Sequence, residues 1–114
     1  MSTSIQRKLA AIMVTDIASF SNLASMDEKY ALNLLETQRK IIKPIISNFK
    51  GTLHKEMGDG MLVTFPIVSD SINCAIKIQK STKTIKDLNL RIGIHEGEIA
   101  VKGKDVLGDD INIA

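Results

Sequence analysis

The sequence predicts an α+β fold of strand-helix-strand-strand-helix-strand order, and three observations carry the prediction. Leu9 to Thr15 is an apolar run of strand length. Two longer stretches repeat apolar residues at spacings of three and four. Between them, Gly58-Asp59-Gly60 separates two β-prone runs in the manner of a hairpin turn. With 114 residues the chain can bury one core without disulfides or a structural metal, so 1–114 is read as one domain.

The elements follow in order. Leu9 to Thr15 comes directly after the basic pair Arg7-Lys8 and reads as a central strand buried on both faces. It ends at Asp16, and Ile17-Ala18-Ser19-Phe20-Ser21 suits a helix entrance. From Asp27 to Phe49, Ala31, Leu34, Leu35, Ile41, Ile42, Ile45, Ile46 and Phe49 form a helical apolar stripe. Asp27 and Glu28 suit the positive end of its dipole, and Lys50-Gly51 is its stop. Pro44 is expected to kink this helix or to begin a second segment.

Thr52 to Glu56 and Met61 to Phe65 are the hairpin strands, closed by Pro66. Ser69 to Thr82 reads as a helix with Ile72, Ala75, Ile76 and Ile78 on its apolar face. Leu88 to His95 alternates as a strand, which Gly97 to Val101 either continues past a bulge or pairs back on. Asp105 to Ala114 reads as a loop followed by a helix start. The order is the ferredoxin-like, split βαβ arrangement, which by itself implies no activity.

Composition excludes several classes of function. A net charge of +2 is too small for a nucleic-acid footprint. The single cysteine, Cys74, has no internal disulfide partner and reads as a buried small hydrophobe in a reducing compartment. Met1 to Lys8 is polar, unlike a signal peptide, and no stretch approaches the roughly 20 apolar residues of a membrane span. A cytoplasmic location is expected.

In this topology the end of the first strand and the hairpin turn lie side by side, which brings Asp16 and Asp59 to one end of the sheet. Two converging carboxylates suit a hard divalent cation, and a helix entrance after Asp16 offers backbone N–H groups to phosphate. Together they suit a nucleoside triphosphate handled with metal. Each residue also has a plainer reading. Asp16 suits a helix N-cap, Asp59-Gly60 a bare turn, Lys55 a solvated strand position, His95 a satisfied sheet-edge histidine and Asp105 a loop.

Four segments, taken together, resemble the class III nucleotidyl cyclase catalytic domain, the family of adenylate and guanylate cyclases. They are Val14 to Ser21, Lys55 to Phe65, Leu90 to Glu98 and Val106 to Ala114, in the family's order and covering essentially the whole chain. The resemblance implies two divalent cations, Mg²⁺ or Mn²⁺, bound by Asp16, Asp59 and the Ile17 carbonyl. It implies a phosphate-binding entrance at Ile17, Ala18, Ser19 and Phe20. Lys55 matches the purine-reading lysine and Asp105 its acidic partner, the adenine-selecting combination. Asn112 matches the asparagine that orients the ribose and its 3′-hydroxyl.

The same resemblance implies ATP as substrate and a head-to-tail homodimer that shares its sites between protomers. The family also has an arginine four residues after the Asn112 position, which is position 116, beyond Ala114. The expectation is therefore a domain truncated in the C-terminal part of its fold, weak or inactive by itself, with any regulatory region C-terminal. The alternatives are a non-catalytic cyclase-homology module that dimerises and senses nucleotide, and a guanylate cyclase, which Lys55 with Asp105 disfavours.

Overall fold

The computed structural model describes residues 6–102 and 105–107. Chain order is β1 (Gln6–Ile17), α1 (Phe20–Met26), α2 (Glu28–Asn48), β2 (Thr52–Met57), β3 (Gly60–Phe65), α3 (Val68–Thr82), β4 (Leu90–Lys102) and β5 (Asp105–Leu107). The five strands form one sheet of order β2-β3-β1-β4-β5, antiparallel at every pairing. Its first four strands have the ferredoxin-like order expected, with β1 and β3 inside.

Side-chain alternation along β1 divides the sheet into two faces. Ala11, Met13 and Ile17 join Met61, Val63 and Phe65 of β3 against Leu34, Leu35, Ile42 and Ile46 of α2 and Cys74 and Ile78 of α3. The opposite face carries Ala10, Ile12, Leu62 and Ile99, a small apolar cluster without helical residues. The run read as β1 is thus buried on both faces from Ala10 to Met13, whereas Leu9 is exposed.

Asp27 caps α2, its side chain accepting the Tyr30 N–H at 3.0 Å. The helix runs through Pro44, so the second segment does not occur. Pro44 and Lys40 both lie on the exposed side, where water can take the carbonyl that the proline leaves unpaired.

The face expected for α3 holds at Ile78, which is fully buried, and at Ala75, which packs against the core, but not at Ile72 and Ile76. Ile72 and Ile76 are each 47% exposed, and the buried residues are Ser71, Cys74, Ile78 and Thr82. The two hydroxyls are satisfied within the helix, Ser71 Oγ donating to the Val68 carbonyl at 2.6 Å and Thr82 Oγ1 to the Ile78 carbonyl at 2.8 Å. Small side chains that bond back to their own helix can enter a core without an unmet polar group. Cys74 is fully buried, as expected, and burial pushes its thiol up to about 11. At the C-terminal side, β4 runs unbroken to Lys102, and Asp105 opens β5, not a loop.

Candidate active site

The hairpin tip is built by Gly58 and Asp59. Met57 and Gly60 are its last paired residues, and of the two loop residues only Gly58 has positive φ, at 60°. This is the two-residue turn with glycine first, so Gly60 already belongs to β3. A Cβ on Gly60 would lie 2.6 Å from the Thr15 carbonyl oxygen, so only glycine lets the tip press this closely on β1. There Asp59 Oδ2 accepts the Ile17 N–H at 2.7 Å, and Gln38 Nε2 from α2 donates to the Asp59 carbonyl at 3.3 Å. The tip is held by β1 on one side and α2 on the other.

Gln38 was not singled out from the sequence. Its signal was a polar residue on the stripe formed by Leu34, Leu35 and Ile42, where it is almost fully buried. Arg91 was also missed as a site residue. It stands opposite Asp16 in the β1–β4 register and clamps that carboxylate twice, Nε donating to Oδ1 at 2.7 Å and Nη2 to Oδ2 at 2.9 Å. These bonds and the Asp16 charge, with a smaller contribution from Asp59, hold the guanidinium above the usual arginine range. Asp16 is therefore not a helix cap. Ser19 precedes α1, in a left-handed conformation with φ 62° and no side-chain cap bond.

On the face away from the helices these groups border a groove of about 870 Å³, lined by Asp16, Asp59, Met57, Arg91, Gly93 and His95. Gly93 keeps the groove open over β4 because it brings no side chain. Donor chemistry at its end fits a hard divalent cation: two carboxylates with the Ile17 carbonyl between them in sequence, and a guanidinium already on Asp16 as a stand-in cation. No group of three or more His, Cys, Asp or Glu side chains that could hold a metal ion occurs among the described residues.

The expected phosphate entrance is only partly available. The Ile17 N–H is taken by Asp59, and the Ala18 N–H donates to the Asn89 carbonyl at 2.8 Å. Ser19 and Phe20 open α1, whose first-turn N–H groups have no acceptor within the helix. Lys55 is exposed on β2. Asp105 pairs through its backbone with Lys102. The two lie on the two edge strands of the sheet, and strand order alone does not bring them together. Asn112 lies outside the described residues.

No family model matches the sequence. A candidate adenylate cyclase (number 3) of Rhizobium meliloti is 34% identical over 119 residues, an alignment spanning 97% of this chain and 20% of that protein. This chain thus spans about a fifth of that relative's length. The crystal structure of an adenylate/guanylate cyclase/hydrolase from Silicibacter pomeroyi superposes with a TM-score of 0.82 at 32% identity, covering 96% of this chain and 68% of that one. The catalytic core of a rhodopsin-guanylyl cyclase with converted specificity, solved with ATPαS, shares the fold with a TM-score of 0.85 at 20% identity, covering 96% of this chain and 70% of that one. Among the described residues, no helix is long and apolar enough to cross a membrane.

Proposed function

This chain belongs to the class III nucleotidyl cyclase family, and on that premise we propose that it is an adenylate cyclase catalytic domain converting ATP to 3′,5′-cyclic AMP and pyrophosphate. The observation that carries this reading is the Asp59 carboxylate on the Ile17 N–H at 2.7 Å, one residue from Asp16. Two carboxylates converge where a triphosphate can be neutralised. The relative named for adenylate cyclase supports ATP as the substrate class.

Asp16, Asp59 and the Ile17 carbonyl would hold Mg²⁺ or Mn²⁺, whose charge would favour ionisation of the 3′-hydroxyl and offset that of the phosphates. The chain's own groups then orient the substrate. Lys55 donates to a ring nitrogen of adenine, and Asp105 accepts from its exocyclic amine. Ser19 and Phe20 offer backbone N–H groups to the phosphates, and Asn112 aligns the ribose. The 3′-oxygen bonds to the α-phosphorus as the bond to the β-phosphate bridge breaks, the hydroxyl proton leaves to solvent, and pyrophosphate departs.

Lys55 and Asp105 act on the site of a second copy in a head-to-tail homodimer. The test is cyclic AMP and cyclic GMP formation with Mn²⁺, using this chain and any longer form of the protein, beside Asp16→Ala. Cyclic AMP formation lost in Asp16→Ala is the expected result. Preference for GTP overturns the purine assignment, and no turnover in any form supports a nucleotide-sensing module instead.

A further inference from the structure

Strand β2 changes phase in its middle. Leu53 pairs with Val63 and packs toward the helices, so unbroken alternation would also send Lys55 toward the helices. Instead the register shifts between Leu53 and Lys55, and Lys55 pairs with Leu62, a residue of the opposite face. His54 is the extra residue of this β-bulge. The residues beyond it confirm the inversion. Glu56 faces α2, accepting from Arg39 Nε at 2.8 Å with Lys43 Nζ at 3.3 Å, and Met57 lines the groove. Without the bulge Lys55 would face Arg39 and Lys43, a like-charge arrangement, and Glu56 would face the groove.

One side-chain bond pins the bulge. His54 Nε2 lies 2.6 Å from Oγ1 of Thr64, which is buried on β3 on the face that also carries Leu62. We propose that His54, hydrogen-bonded to Thr64, is a positioning residue for purine selection: it fixes the bulge that turns Lys55 from the helix face to the groove face. The inference rests on the reading of Lys55 as a purine contact. Burial and the neighbouring Lys55 charge push the His54 imidazole below the usual histidine range, which keeps it neutral at pH 7 beside the lysine it places.

The experiment measures affinities for 3′-deoxy-ATP and 3′-deoxy-GTP with Mn²⁺, in wild type and in Lys55→Ala, His54→Leu, His54→Gln and Thr64→Val. A general loss of stability weakens both nucleotides alike, so the ratio of affinities is the informative quantity. Lys55→Ala should cut the ATP preference about tenfold, the scale of one hydrogen bond. His54→Leu and Thr64→Val should cut it to a similar extent, and His54→Gln, which can still reach Thr64, should restore most of it. If Lys55→Ala changes the ratio while Thr64→Val and His54→Leu leave it at the wild-type value, the positioning role is overturned. An unchanged ratio in Lys55→Ala overturns the purine contact itself, and this inference with it. Should His54→Leu fail to fold, Thr64→Val decides, since it keeps the side-chain shape and removes only the hydroxyl's bond.

Discussion

The two faces of the sheet meet different demands. The helix-covered face is lined by large apolar side chains, among them Met13, Ile17, Met61 and Phe65, none more than 1% exposed. The other face has a short apolar strip and, at one end, Asp16, Arg91 and the Asp59 turn around an open groove. One face supplies the free energy that holds five strands together. The other presents polar groups that such a scaffold can carry at little cost to itself. Substitutions on the first should therefore lower stability, while those on the second should alter chemistry and leave stability nearly intact.

The largest expected effect tests the covered face. Phe65→Ala removes a fully buried ring and should cost about 3–5 kcal/mol, read from the urea midpoint. A loss under about 1 kcal/mol would show that this face is not the main source of stability.

Next comes Asp59→Asn on the groove side. The amide oxygen can still accept the Ile17 N–H, so stability should change by no more than about 1 kcal/mol. Metal-dependent cyclisation should fall at least a hundredfold or so. An active Asp59→Asn would reduce this carboxylate to a turn residue.

The smallest effect is the subtlest. Arg91 occupies both oxygens of Asp16, so Arg91→Gln should tighten Mn²⁺ binding in the absence of nucleotide by about two- to fivefold, the scale of an exposed ion pair. Titration of the Mn²⁺ electron-spin signal reads this directly. Weaker binding in the variant would mean that Arg91 supports the site instead of competing for it.

How much of this was legible in the sequence follows from the range of the interactions. Strand β3 and its turn were readable because the signals, an apolar run and a glycine beside Asp59, are local. Helix α2 was readable because its apolar stripe repeats through six buried positions, Ala31, Leu34, Leu35, Ile42, Ile45 and Ile46. The face of α3 was read correctly at Ala75 and Ile78 but not at Ile72 and Ile76, because Ser71 and Thr82, polar by composition, satisfy themselves on their own helix and take buried positions. The convergence of Asp59 on the end of β1 came from topology plus family resemblance. The Arg91 clamp and the His54 bulge were not legible, because each depends on which residue of another strand lies opposite. A one-residue register slip would abolish either.

The Ile17–Asp59 bond spans 42 residues and the Arg91–Asp16 pair 75. On a ribosome adding 5–20 residues per second, the end of β1 is made roughly 4–15 s before Arg91. Through that interval the middle strand of the sheet, apolar on both sides, has at most the helices and the hairpin to shelter it. On the proposed reading, capacity to bind metal would arise only after the mid-chain strands have docked, so metal binding by nascent chains of increasing length would act as a clock for when the sheet closes.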